Sequence, residues 1–341
     1  MLKKINILLL SIMLSCPTVS YAYSQQPNYN YESQAKNQLH QQLKKAMDLG
    51  IQSFQNGNYK TCIKSLLFVR DNYSKTGESL NRDTLIRLDS MVGESYRQLN
   101  NLNRAITYLN SAYEQGSRSE LVLRGLGYSF MDIEQTEFSF SQAKRYLYEL
   151  VNKKPTAEYL YNLGYVCNSL GDYRESTAVF DKLIRINPKY DINVYVLCAT
   201  GLESLEDFDG AINYLLLGMK AYPSEEFFPL ELMNVFFTFD DYENAIVYGN
   251  KALQINDKNV ISLATVGLSY IYFNNLDDAC YCYEKAIQLN LQHPLLDDLG
   301  ELIAQKKQEM DLARLVEQQI IDEQLRQQDI VNPSTMPTMP M

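Results

Sequence analysis

The chain has 341 residues, 46% of them hydrophobic and 21% charged, and carries a formal net charge of -10 at pH 7. No basic stripe exists to neutralise phosphates, which argues against nucleic acid or an anionic membrane surface as the main partner. Simple solubility is the plainest meaning of the acidic excess. By length alone the chain has room for two compact domains, but a repeat array is expected to form one continuous elongated domain that grows by adding units.

Lys3 and Lys4 precede an apolar run from Ile5 to Leu14, too short to span a bilayer as a mature helix. Residues 1–22 therefore read as a secretory signal, with Ser20 and Ala22 as the small residues before a cut and Tyr23 as the mature start. Loss of Lys3 and Lys4 brings the charge to -12. A competing reading lipidates Cys16, although Met13-Leu14 fits such a site poorly, and an uncleaved anchor is a third. Residues 23–41, YSQQPNYNYESQAKNQLHQ, read as a polar flexible linker that would let a lipidated chain stand away from a membrane.

From residue 42 to residue 293 a pattern recurs roughly every 34 residues. A small residue, or a residue beside it, pairs with another downstream: Gly50 with Cys62, Gly93 with Ala105, Gly127 with Ala143, Gly164 with Ser176, Ala199 with Ala211, Met233 with Ala245, Gly267 with Ala279. Such spacing predicts seven units of two antiparallel helices. Neither helix buries its apolar face alone, so stability is a nearest-neighbour sum. Small residues are forced where the helices cross. Asn56-Gly57-Asn58, Asn100-Asn101, Gly171-Asp172, Asp240-Asp241 and Asn274-Asn275 are placed in the turns, as residues that tolerate turn conformations and cap helix starts. Pro155, Pro188 and Pro223 end their units.

On these residues the chain resembles the tetratricopeptide repeat family over about three quarters of its length. The best unit is Ala157 to Tyr190, with Leu160, Leu163, Gly164, Ser176, Phe180, Leu183 and Pro188 at signature positions. The unit from Val260 to His293 matches at Leu263, Gly267, Tyr270, Ala279, Tyr283 and Ala286, with Leu291 in place of the terminal proline. The unit from Glu120 carries about four extra residues in its turn, Glu134 to Ser141, and the chain has no Trp. The resemblance implies an all-α, right-handed superhelical solenoid. It also implies a concave groove lined by first helices and a broad protein-interaction role, while the short charged start and compact apolar run of residues 1–22 point to export to a bacterial envelope.

Beyond the array, Leu295, Leu296, Leu299, Leu302 and Ile303 supply one apolar helical face. Residues 294–327 are expected to form a capping helix or a degenerate eighth repeat, with Asp311, Leu312 and Ala313 opening its second helix. Residues 328–341 read as a disordered Pro/Met-rich tail.

Catalytic chemistry is not legible. The two histidines, His40 and His293, lie far apart, and no catalytic or phosphate-binding motif appears. No metal or cofactor is expected. The acidic pairs Glu225-Glu226, Asp240-Asp241, Asp277-Asp278 and Asp297-Asp298 fall at turns and helix starts, where they cap or complement the helix dipole. Of the cysteines, Cys167 with Cys198 is the one bridge the register allows; Cys62 and Cys198 also read as small buried crossing residues.

Reading the inward positions of the central first helices gives a polar-aromatic groove of Arg124, Tyr128, Tyr161, Asn162, Tyr165 and Asn168. With 26 tyrosines in the chain, abundance alone is the competing account. Further on the same positions are apolar: Phe227, Leu230, Phe237, Ile261, Leu268, Ile271 and Tyr272. Either the helix after residue 294 caps this stripe, or an amphipathic partner helix docks there. Clamp positions that hold terminal carboxylates in some family members carry Met47 and Ile51, Ser90 and Glu94, Tyr161 and Tyr165 here, so that use is disfavoured. The expectation is a non-enzymatic scaffold or adaptor that binds a peptide or helix. The alternatives are a periplasmic chaperone or assembly factor and, in another class, a non-catalytic enzyme subunit. Membrane association is expected only through a lipid on Cys16 or through a partner.

Overall fold

A computed structural model describes residues 17–289 and 292–331. Fifteen α-helices fill those residues, with no strand among them. They are α1 (Pro17–Gln55), α2 (Tyr59–Asn72), α3 (Arg82–Gln98), α4 (Leu102–Glu114), α5 (Glu120–Ile133), α6 (Glu137–Lys153), α7 (Ala157–Ser169) and α8 (Tyr173–Ile186). Then follow α9 (Asn193–Glu203), α10 (Phe208–Ala221), α11 (Phe227–Thr238), α12 (Tyr242–Ile255), α13 (Val260–Tyr272), α14 (Leu276–Gln288) and α15 (Pro294–Val331). A 3-10 turn, Tyr73–Thr76, precedes α3. The helices pair consecutively as α1·α2 through α13·α14, seven pairs in all, and α15 stands alone after them.

The turns inside the pairs form for the reasons the sequence gives. Asn58, Asn101, Asp207, Asp241 and Asn275 each cap a second helix by accepting a backbone N–H. The residue ahead of the cap is in the left-handed region at Gly57, Asn100, Glu206, Asp240 and Asn274. Pro155, Pro188 and Pro223 fall in the gaps after α6, α8 and α10. Crossing residues Cys62, Ala105, Ala143, Ala211, Ala245 and Ala279 are all completely or almost completely buried. In the 157–190 pair, a Cβ on Gly164 would lie 2.5 Å from the Phe180 ring, and the Ser176 hydroxyl donates to the Gly164 carbonyl at 2.8 Å. That bond satisfies a buried hydroxyl and ties the two helices at their closest approach.

The chain divides into two compact units, one up to Leu183 and one from Ile184. The first is held by aliphatic contacts, such as Leu109 under Gly93 and Leu147 under Gly127, and by several ion pairs. The second is more aromatic. Tyr195, Phe228 and Tyr222 pack together in it, beside Ala199, Leu202, Ala211, Leu215 and Leu232.

Three expectations need correction. The backbone is helical across 23–41, where the sequence reading places a flexible linker; Gln, Lys and Ala suit a helix once Leu43 and Ser53 anchor its continuation. The extra residues after Glu134 do not lengthen the turn. They form an added first turn of α6, closed by a capping box between Thr136 and Ser139. Finally, α15 runs unbroken through Asp311, Leu312 and Ala313, so no eighth second helix opens there. No Gly, Pro or Asn interrupts 301–331, and the first four residues of the expected tail, 328–331, are helical too. Residues 1–16, with the Cys16 site, and residues 332–341 lie outside the described residues.

Candidate partner-binding site

On α5 the buried positions Val122, Leu123, Leu126 and Ser129 face the core, which turns Arg124 and Tyr128 outward. On α7 the core takes Tyr159, Leu160, Leu163, Val166 and Cys167, leaving Tyr161, Asn162, Tyr165 and Asn168 on the other side. All six sequence-predicted residues are half-buried. Tyr128 is tied to α7 through Glu158 and Asn162, and much of the bonding around the six is internal.

Its deepest element is Glu94 on α3, whose side chain is 4% exposed. Arg97 donates to both carboxylate oxygens at 2.7 and 2.9 Å, Gln98 donates at 2.9 Å, and Arg124 reaches across from α5 at 3.5 Å. Burial opposes ionisation of Glu94, but these donors and the two guanidinium charges outweigh it and hold the carboxyl below its ordinary range. Arg97 also lies 5.9 Å from the centre of the Tyr128 ring. The Tyr128 hydroxyl donates to Glu158 at 2.6 Å. Its own ionisation is pushed up, first by burial and then by that bond. Tyr161 packs against Phe180 and Tyr165 against the edge of Phe140. Both rings are therefore held in place and present one side outward.

In the second unit the apolar stripe is split. Leu268 and Ile271 are only 5% and 4% exposed, because α15 lies on them through Leu296, Leu299 and Ile303. They are cap contacts rather than groove positions, a correction that follows from the apolar start of α15 finding its nearest apolar surface. Phe227, Leu230 and Phe237 on α11 stay half-buried, with Phe228, Pro229, Leu232 and Met233 taking the core side. Ile261 on α13 is also half-buried. Tyr272 is exposed and stacks on Tyr242, 4.6 Å between centres.

Sequence reasoning missed the carboxylates here. Glu203 on α9 and Glu231 on α11 are half-buried, and among the described residues neither forms an ion pair. Burial raises both acids above the ordinary range, and the charge of Glu203 adds to the effect at Glu231. Glu203 lies four residues after Ala199, as Asn168 does after Gly164, and Glu231 two before Met233, as Asn162 does before Gly164, so the register that selects the two asparagines would have found both acids.

Among the described residues no group of His, Cys, Asp or Glu is arranged to hold a metal ion, and no helix is long and apolar enough to cross a membrane. Among the described residues no disulfide joins Cys62, Cys167, Cys198, Cys280 or Cys282, so the bridge that the register allows between Cys167 and Cys198 is not formed.

The family model for the tetratricopeptide repeat matches residues 157–190. No curated protein matches the chain. Among solved structures, a tetratricopeptide repeat protein from Parabacteroides merdae ATCC 43184 is 15% identical, covering 77% of this chain and 99% of that one, with a TM-score of 0.41. MamA from Desulfovibrio magneticus RS-1 is 20% identical over 51% of this chain and 96% of that one, with a TM-score of 0.39. YrrB, described as a TPR protein with an unusual peptide-binding site, is 15% identical over 57% and 97%, with a TM-score of 0.43. At these identities nothing about partner or site carries over. Residues 157–190 therefore form a tetratricopeptide repeat, and the helix pairs before and after it are built on the same consecutive pairing.

Proposed function

We propose that the chain is a non-enzymatic scaffold or adaptor that binds a peptide or helix of a partner protein on the outward faces of its first helices. The observation that carries this reading is the arrangement of α5 and α7. Their core sides are mainly apolar and buried, while Arg124, Tyr128, Tyr161, Asn162, Tyr165 and Asn168 are half-buried on the other side. Tyrosine offers large rigid area with a hydroxyl at small entropic cost, and asparagine pairs with a partner backbone. Ordered rings of this kind lose little freedom on binding.

We also propose export to a bacterial envelope, in support of assembly of an envelope, secretion or virulence-related complex. The basic, then apolar, then small-residue order of residues 1–22 supports that reading. A client-holding chaperone is a second reading, favoured by the apolar residues that α11 leaves accessible.

The test is crosslinking in envelope fractions with the full chain and with a Tyr161→Ala, Tyr165→Ala, Asn168→Ala triple variant of unchanged helicity. Loss of a defined partner is the expected result. An unchanged partner set would remove the face of α7 from the site.

A further inference from the structure

Charge is divided unevenly between the two units. Up to Leu183 the chain has 21 Lys and Arg against 17 Asp and Glu, whereas from Ile184 it has 10 against 24. The carboxylates also differ in company. In the first unit Asp89 is met by Arg70, Glu94 by Arg97 and Arg124, Glu149 by Arg118, Glu120 by Lys154, and Asp172 and Glu175 by Lys144. In the second, among the described residues, ion pairs occur only inside α15. Glu203 and Glu231 are the acids that make this matter, because they are half-buried, lie near one another on successive first helices, and have no cation beside them. Next to them on α11, Phe227 and Leu230 are half-buried, packed on the core of the unit on one side and still partly exposed. Half-buried negative charge without a counter-charge is destabilising on its own. An apolar face beside it is surface that a partner with the opposite charge would cover.

We propose that the outward face of α9 and α11 docks a cationic amphipathic segment of a partner protein. Its Lys or Arg groups meet Glu203 and Glu231 while its apolar side chains rest on Phe227 and Leu230. The inference rests on the interaction reading above and assigns the chemistry of a partner to the second unit. A second copy of the chain is the poorer match, since the arginines and lysines named in the first unit are already engaged within it. The chain's own residues 332–341 carry no charge. An anionic membrane surface would be repelled.

The experiment uses the full chain and two synthetic helical probes, one built of Leu and Lys and the other, of the same pattern, of Leu and Glu. Affinity is read by fluorescence anisotropy. The Leu/Lys probe is expected to bind saturably, and the Leu/Glu probe at least about tenfold more weakly. A Glu203→Gln, Glu231→Gln double variant is expected to lose about tenfold in affinity for Leu/Lys. The same charge change at the exposed second-helix acids, Glu243→Gln with Glu284→Gln, should cost no more than about twofold. Misfolding does not confuse the result, because removing two crowded charges leaves the thermal midpoint equal or higher. Equal binding of both probes, no binding, or equal losses in the two double variants would each overturn the proposal. So would a probe that acts by dissociating a dimer, seen by light scattering, which makes a second copy the occupant. None of these outcomes touches the partner-capture test on α7, so the two readings fail separately.

Discussion

A methyl group at Gly93 would stand 2.6 Å from Leu109 Cγ and 2.9 Å from the Leu109 backbone nitrogen. A side-chain end can swing aside but a backbone nitrogen cannot, so Gly93→Ala should destabilise the chain by about 1–3 kcal/mol, measured by urea unfolding. Unchanged stability would mean that α3 and α4 do not cross so closely. The cysteines make a second residue-scale case. Burial first, and then nearby carboxylates, push the Cys167 thiol up to about 12 and the Cys282 thiol up to about 11. Both should resist a maleimide at pH 7.5 in the folded protein, while half-buried Cys280 reacts first. Mass spectrometry after brief labelling shows the order. The crossing glycines and caps were legible because a missing Cβ and a short polar side chain each do one job. Glu206 was not, since nothing in a glutamate announces the left-handed backbone it adopts.

Among the elements, α15 departs furthest from expectation. Its first three turns bury Leu296, Leu299 and Ile303 on α13 and α14, while 307–327 is exposed, Leu312, Leu315, Ile320 and Leu325 included. Leu299 is fully buried, so Leu299→Ala should cost about 2–5 kcal/mol. Leu315→Ala, at 63% exposure, should change stability by under about 0.5 kcal/mol. Equal effects in thermal unfolding would contradict the capping role. The period of apolar residues showed a helix after residue 294, but not that it would stay single. A degenerate second helix needs a break, and the sequence between 301 and 331 supplies none. For the apolar stripe the sequence left a cap and a partner helix both open, and the packing of α15 decides for the cap at Leu268 and Ile271.

For the whole molecule the electrostatic contrast between the units predicts opposite responses to acid. Glu203 and Glu231 have folded-state values above the unfolded one, so the native state takes up protons first as pH falls from neutrality. Stability of the unit from Ile184 should therefore rise toward about pH 4.3, the ordinary glutamate value, and gain nothing further below it. Glu94 is shifted the other way. Its contribution is complete above about pH 4.3 and is lost as pH falls through its lowered folded value, weakening the unit up to Leu183. Hydrogen exchange followed separately in the two units reads both trends, and the Glu203→Gln, Glu231→Gln variant should abolish the first alone. The all-α repeat architecture was open to sequence reading because period, turns and crossing residues agree. The division of charge was hidden by a single net value of -10, which averages two dissimilar halves.

The most direct measurement is site-specific photocrosslinking in the cell, with the reactive residue placed singly at Tyr161 or Leu230 on first helices, or at exposed Tyr148 or Tyr281 on second helices. Defined adducts from the first two positions and none from the others are predicted. Adducts confined to Tyr148 or Tyr281 would place partner binding on the opposite side of the repeats and contradict the account.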